Sequence, residues 1–351
     1  MFDDPMPTVN AFAAVSATAP LQPITIERRE VGPRDVQIDI KYTGICHSDI
    51  HEVRGDWGAC PYPLAPGHEI TGVVSAVGTE VTRFAVGDRV GVGCLVNSCG
   101  KCTECQAGQE QYCSVKAVWT YGDTDVDGTV TQGGYSTQIV VTDRFVVRVP
   151  DALPLDTAAP LLCAGITTYA PLRRWGAGPG KKVAVVGLGG LGHIAVKIAR
   201  ALGAEVTVLS QTLSKKDAGL ALGASDYRAT SDPATFTDLA GRFDLILSTV
   251  SAPLPMDSYL SMLAVGGAMI NVGASPEESS LHLRILNRQR VLAGSLIGGI
   301  AETQEMLDFC GEHGIGAEIE TIAAEQIIEA YERVLASDVR YRFVIDISTL
   351  A

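Results

Sequence analysis

Lys181-Lys182-Val183-Ala184-Val185-Val186-Gly187-Leu188-Gly189-Gly190-Leu191-Gly192 sets an apolar β-run directly against a G-x-G-x-x-G turn. His193-Ile194-Ala195-Val196-Lys197-Ile198-Ala199-Arg200-Ala201-Leu202 follows with helical apolar spacing, and Ala204-Glu205-Val206-Thr207-Val208-Leu209 reads as the next strand. Alone, the glycine pattern is weak. Bracketed by strand, helix and strand, it predicts a dinucleotide-binding βαβ unit. The glycines allow a tight turn and a close backbone approach to a pyrophosphate, which then sits at the positive end of the helix.

The same alternation continues through Phe243–Ser248, Ala268–Gly273 and Val291–Ser295, three more strand-like runs separated by helical patterns. Repeated β–α units imply a parallel, doubly wound sheet of the Rossmann type with right-handed crossovers. A chain built for NAD places Asp or Glu about twenty residues past the glycines, on the ribose hydroxyls. Here the position holds Ser210, followed by Gln211, Thr212, Ser214, Lys215 and Lys216. Hydroxyls and an ammonium can bind a 2′-phosphate that a carboxylate would repel, so NADP is expected over NAD. One of the two lysines is equally readable as a solvated helix start.

The chain of 351 residues exceeds what one core commonly supports, and two domains are expected. Hydrophobic residues make up 46% and charged residues 19%, an ordinary soluble balance. A net charge of −13 disfavours nucleic acid or an anionic membrane as a partner, since both need a basic face. Met1-Phe2-Asp3-Asp4-Pro5 lacks the basic start of a signal peptide, and no apolar run reaches the roughly 18 residues that span a bilayer. A cytoplasmic location is expected, where nine reduced cysteines argue for metal before disulfide.

The first 150 residues or so are β-rich. Ile24-Thr25-Ile26 and Val36-Gln37-Ile38-Asp39-Ile40 alternate with polar neighbours, and short strand-like runs recur between Gly- and Pro-rich turns. This pattern suggests a small barrel or sandwich. Within it, Cys99-x-x-Cys102-x-x-Cys105-(x7)-Cys113 places four thiols in fifteen residues, which suits a closed tetrahedral zinc site. The proline that follows bacterial cluster-binding cysteines is missing, and Glu104 and Glu110 speak against a nucleic-acid zinc ribbon.

Cys46-His47-Ser48-Asp49-Ile50-His51 reads as half of a second zinc site. Gly67-His68-Glu69 and the isolated Cys163 are candidates for the rest; a catalytic zinc typically has three protein ligands and an open position. His47 and His51, four apart, share a face if the segment is helical. From about residue 300 come two amphipathic helical patterns and then Tyr341-Arg342-Phe343-Val344-Ile345-Asp346, expected as a strand returning to the first domain.

Together these residues resemble the zinc-dependent medium-chain dehydrogenase/reductases, and most closely their cinnamyl-alcohol-dehydrogenase-like branch with its bacterial NADP-dependent aldehyde reductases. The resemblance rests on Gly44-Ile45-Cys46-His47-Ser48-Asp49, Pro66-Gly67-His68-Glu69, the four-cysteine lobe, Leu162-Cys163-Ala164-Gly165-Ile166-Thr167-Thr168, the glycine turn and Asp338-Val339-Arg340-Tyr341-Arg342-Phe343. It implies a GroES-like β-rich catalytic domain over residues 1–153 and 300–351, with a structural-zinc lobe at about 94–116, and a Rossmann cofactor domain over 154–299. Cys46, His68 and Cys163 would hold the catalytic zinc, with Glu69 able to ligate transiently, and Cys99, Cys102, Cys105 and Cys113 the structural one. Ser48 and His51 would move the proton, and Asp49 would orient a ligand. His47, Thr167, Gly187, Gly189, Gly190, Leu191, Gly192, Ser210, Thr212, Lys215, Val272 and Arg340 would contact NADP(H). Trp57 and Trp119 resemble substrate-pocket aromatics, with ordinary core tryptophans as the other reading, while Cys60, Cys94 and Cys310 match no ligand position and read as buried small apolar residues.

The implied activity is interconversion of alcohols and aldehydes, favouring reduction of aromatic and medium-chain aldehydes, with substrate in a cleft between domains. A homodimer through Val291–Ile300 is expected by analogy. The rival readings are an NAD-dependent polyol or secondary-alcohol dehydrogenase and a non-catalytic dinucleotide sensor.

Overall fold

In the computed structural model, which describes residues 6–275 and 277–350, the chain divides into two compact units. One runs to Cys163 and resumes at Gly298; the other is Ala164–Ile297. The acidic stretch Met1–Pro5, read above against a signal peptide, lies outside the described residues.

The first unit is built on Asp35–Gly44, where Val36, Ile38 and Ile40 are buried and Gln37 and Asp39 are not. Period-two burial is what a strand with one core-facing side requires. Among the described residues its sheet runs Ile319–Ala323, Arg342–Asp346, Asp35–Gly44, Ile70–Val77, Arg89–Val92 and Val147–Arg148, with Gln138–Thr142 also pairing Asp35–Gly44. Arg342–Asp346 is the expected returning strand. It lies antiparallel to Asp35–Gly44, with Val344 opposite Gly44.

Thr8–Ala13 and Gln22–Glu27 form a separate antiparallel hairpin. Just past it, buried Arg28 donates to the carbonyls of Gln138, Gln132 and Gly133 and to Ser136 Oγ, at 2.7–2.9 Å, and so ties down the loop before Gln138–Thr142. The two amphipathic patterns are the helices Ile300–His313 and Ile327–Leu335. They bury Thr303, Met306, Leu307 and Cys310, and Ile327, Ala330, Tyr331 and Val334, each set at i, i+3, i+4, i+7.

The second unit holds a parallel sheet in the order Asp226–Ala229, Glu205–Ser210, Lys182–Val186, Phe243–Ser248, Leu263–Asn271, Val291–Gly294. Numbered along the chain this is 3-2-1-4-5-6, the doubly wound dinucleotide-binding order. Val183, Ala184 and Val185 are fully buried, as a central strand covered on both faces demands. Helix Gly192–Ala201 buries Ile194, Ala195, Val196, Ile198 and Ala199. Val291–Gly294 is the edge strand, pairing with Leu263–Asn271.

Candidate active site and cofactor turn

Cys46 is the extended residue just ahead of helix His47–Arg54, and Asp49 one turn in accepts the Cys46 N–H at 2.8 Å. The N-terminus is thus capped by a side chain that has a second task. His68 and Glu69 enter from the loop before Ile70–Val77, where Gly67 takes φ +106°, a conformation that favours glycine. Cys163 ends the 3₁₀ turn Ala159–Leu162. The fold brings one ligand atom each from Cys46, His68, Glu69 and Cys163 within 4.8 Å of one another.

Two thiols, an imidazole and a carboxylate in a buried setting form a donor set that fits zinc. Glu69 Oε2 is buried and without a hydrogen-bond partner, while the other oxygen pairs with Arg342. A Cβ on Gly44 would sit 1.9 Å from Glu69 Oε2, which explains glycine at that position. Burial pushes the Glu69 carboxyl up to about 7, against the pull of Arg342.

Asp49 Oδ1 accepts from His68 Nδ1 at 3.0 Å. Holding that nitrogen leaves Nε2 as the atom that would ligate a metal, the usual carboxylate–histidine–metal arrangement. Three contacts escaped the sequence reading. Cys94 is buried as expected, and its thiol is linked to the ligand group: interaction with Cys163 lowers the pKa of Cys94 and Cys46 and raises that of Cys163. Arg342, rather than only the exposed Arg340, reaches the site through its pair with Glu69. Asp56 Oδ2 lies 2.8 Å from His51 Nδ1.

His47 and His51 share a helix face with ring centroids 6.4 Å apart, and Trp57 lies 5.3 Å from His51. Ser48 Oγ is 3.6 Å from Cys46 Sγ. Trp57 and Trp119 are 54% and 39% exposed, so the reading of these as core tryptophans is corrected: both indoles face solvent within their unit. Of the unassigned cysteines, Cys310 is fully buried and Cys60 is half-buried against Glu52.

The four-cysteine lobe begins on the ribbon Leu95–Ser98 with Ala117–Trp119. All four thiols are free and their sulfurs lie within 4.8 Å of one another. Cys99–Cys105 and Cys102–Cys113 are each 3.9 Å apart, close to the ~3.8 Å that separates sulfurs around a tetrahedral zinc with bonds of about 2.3 Å. Backbone N–H groups of Cys102 and Lys116 point at Cys99 and Cys113 sulfur, both at 3.4 Å. The lobe also anchors the returning chain, because Glu110 accepts the Ile300 N–H at 3.1 Å at the start of helix Ile300–His313.

In the second unit the three pattern glycines differ in what a Cβ would meet. At Gly187, φ is +90° and Thr249 Oγ1 would be 2.9 Å away. At Gly192 the Gly187 carbonyl would be 2.0 Å away, so helix and strand pack through it. At Gly189 nothing lies within 4 Å, leaving the open approach a pyrophosphate needs. Leu191 and half-buried Gly190 complete the turn into the helix. Lys215 Nζ donates to the Leu188 carbonyl at 3.2 Å, and Thr212 Oγ1 lies 2.9 Å from Ser214 Oγ. Ser210 ends its strand, Val272 N–H bonds the Ser248 carbonyl at 2.9 Å, and Thr167 is buried on helix Ala164–Arg174.

Comparison with known proteins agrees with this geometry. Residues 32–151 match the alcohol dehydrogenase GroES-like domain, and residues 190–312 match the zinc-binding dehydrogenase family. The chain is 62% identical to NADP-dependent alcohol dehydrogenase C 1 of Mycolicibacterium smegmatis, over 98% of this chain and 99% of that one. It is 51% identical to aldehyde reductase YahK of Escherichia coli, over 97% and 99%. The structure of CAD from Helicobacter pylori complexed with NADP(H) superposes with a TM-score of 0.91 at 42% identity, covering 97% of this chain and 98% of that one. With its GroES-like and Rossmann-type domains, the chain belongs to the zinc-dependent medium-chain dehydrogenase/reductase family, in the cinnamyl-alcohol-dehydrogenase-like branch.

Proposed function

We propose that this protein is an NADP(H)- and zinc-dependent alcohol dehydrogenase that runs chiefly as an aldehyde reductase on aromatic and medium-chain aldehydes. The observation that carries the reading is the buried convergence of Cys46, His68 and Cys163 beside Glu69. A purely dinucleotide-sensing protein has no use for such a set with a proton-transfer side chain next to it. High identity to NADP-dependent relatives along nearly the whole chain supports the cofactor, as do Ser210, Thr212 and Lys215 where a carboxylate would select NAD.

Cys46, His68 and Cys163 hold the catalytic zinc, and Cys99, Cys102, Cys105 and Cys113 the structural one. When bound, zinc supplies Lewis-acid polarisation of the carbonyl oxygen and the dihydronicotinamide supplies the hydride. The chain's own residues do the remaining work. Ser48 Oγ passes a proton to the substrate oxygen without becoming a lasting base. His51 replenishes it: Asp56 holds Nδ1, leaving Nε2 to exchange protons with solvent. Asp49 keeps His68 in one tautomer, and Arg342 holds one oxygen of Glu69, leaving the other as the atom that would ligate transiently.

The glycine turn, Leu191, Thr167, Val272, His47 and Arg340 contact the cofactor, and exposed Trp57 and Trp119 line the substrate side. The domain division that goes with this reading gives catalysis to 1–153 and 300–351 and the cofactor to 154–299. The protein works in the cytoplasm as a homodimer that pairs through Val291–Ile300. Steady-state reduction of an aldehyde panel with NADPH and NADH side by side tests the proposal. NADPH is expected to be the better donor by at least about tenfold, a discrimination of roughly 1.4 kcal/mol. Equal or faster turnover with NADH, or NADPH binding with no turnover of any aldehyde, would overturn it.

A further inference from the structure

A buried chain of phenols leads away from the ligand group through side chains that no step above uses. Asp49 is fully buried; each of its oxygens takes at least two hydrogen bonds, and the buried Tyr121 phenol also interacts with the carboxylate. Oδ1 takes Gly67 N–H at 3.1 Å and His68 Nδ1 at 3.0 Å; Oδ2 takes Cys46 N–H at 2.8 Å and the Tyr135 hydroxyl at 3.4 Å. Tyr135 in turn accepts from the Tyr331 hydroxyl at 3.4 Å, the two rings meeting edge to face at 6.5 Å. Burial first, and then the Asp49 charge, push both phenols well above their ordinary pKa, so both stay protonated as donors.

The placement of this pair is tightly defined. A Cβ on Gly67 would sit 2.6 Å from Tyr135 Cδ1, so the ring lies flush on the residue before His68. Arg28 ties down the loop that carries Tyr135. Tyr331 sits on the buried stripe of helix Ile327–Leu335. Phenylalanine would fill either site; a hydroxyl buried here costs desolvation unless it has a partner. The partner at the end of the line is Asp49.

We propose that Tyr135 and Tyr331 are positioning residues that moderate the pull of Asp49 on His68. A carboxylate divides its charge among its donors, and a chain of hydrogen bonds polarises along its length. Tyr135 draws density from Oδ2, and Tyr331 makes Tyr135 a stronger donor. Without them, more charge faces the His68 Nδ1 proton and Nε2 becomes a stronger electron donor to whatever it ligates. The Cys46 N–H, Gly67 N–H and His68 bonds remain, so the carboxylate stays in place while its charge changes. The inference rests on the zinc site proposed above.

The test uses zinc-loaded protein with ¹⁵N-labelled histidine and follows the buried His68 Nδ1–H proton by NMR. Tyr135→Phe is expected to move that resonance downfield and keep both zinc ions. It lowers kcat about tenfold, the low end of what second-sphere partners of metal ligands cost. Tyr331→Phe shifts it the same way by less, and adds nothing when combined with Tyr135→Phe. An unmoved resonance in both single variants with zinc retained would overturn the proposal, and so would an additive double variant. Loss of zinc in Tyr135→Phe would also overturn it, marking a plain structural brace. Wild-type protein without zinc at His68 would instead take down the proposed function itself, so the two failures are distinguishable.

Discussion

The two thiol clusters of the first unit, each able to hold a metal, are assembled in opposite ways. Cys99, Cys102, Cys105 and Cys113 come from one loop of fifteen residues, are mostly half-exposed, and lean on backbone N–H groups of that same loop. Cys46, His68 and Cys163 come from three distant segments and are buried, and their neighbours are charged: Asp49 behind His68, Glu69 and Arg342 alongside. A closed local set can be saturated with sulfur and do nothing but hold shape. A set assembled by the fold keeps a carboxylate with an orphaned oxygen and a hydroxyl at hand, which is where chemistry can enter.

The contrast predicts a graded series of effects. Cys163→Ala removes a ligand from the assembled set, and kcat/KM for aldehyde reduction should fall by more than about 10³-fold, beyond the roughly 10–100-fold typical of second-sphere partners. Steady-state kinetics with zinc in excess checks this. Arg342→Met removes the charge that pulls the Glu69 carboxyl down, so Glu69 loses its ion-pair partner in a fully buried place and takes up a proton near neutral pH. Breaking such a pair costs about 3–5 kcal/mol, to be read from urea unfolding of the zinc-loaded protein; a loss under about 1 kcal/mol would mean that Glu69 finds another partner.

Cys113→Ser should do the reverse of Cys163→Ala. The apparent Tm drops by roughly 5–10 °C, equivalent to about 2–3 kcal/mol for a unit of this size, while kcat per folded molecule stays within about threefold, well under one factor of ten. The smallest effect belongs to Glu110→Gln, which removes the charge from the Ile300 N–H at a helix start. Thermal unfolding should register about 0.3–1 kcal/mol, fading as salt is added.

What could be read from the chain alone follows the same division. The four-cysteine lobe and the glycine turn are local: their geometry is set within fifteen residues or within one βαβ unit, so spacing suffices. Cys46, His68 and Cys163 were legible as residue types in recurring motifs, although their convergence depends on three strand and turn placements. Their supports were not legible. Asp56 meets His51 only because the chain turns at Gly55, whose φ is +70°. Tyr331 reaches Tyr135 across 196 residues. Arg342 did leave a trace: an arginine heading the apolar run Phe343-Val344-Ile345 must either reach solvent or find a buried carboxylate. Arg340, the residue assigned from that segment, is the one that reaches solvent. Cys94 is buried and outside both ligand groups, as its lack of a motif implies, but nothing along the chain reveals that its thiol meets Cys163.

The central claim, that one zinc is held by the fold and the other by a loop, is tested most directly by counting zinc. Native mass spectrometry of the wild-type chain and of Cys163→Ala should find two zinc ions in the first and one in the second, with Cys113→Ser losing the other. Two zinc ions retained in Cys163→Ala, or a wild-type chain carrying only one, would contradict the account.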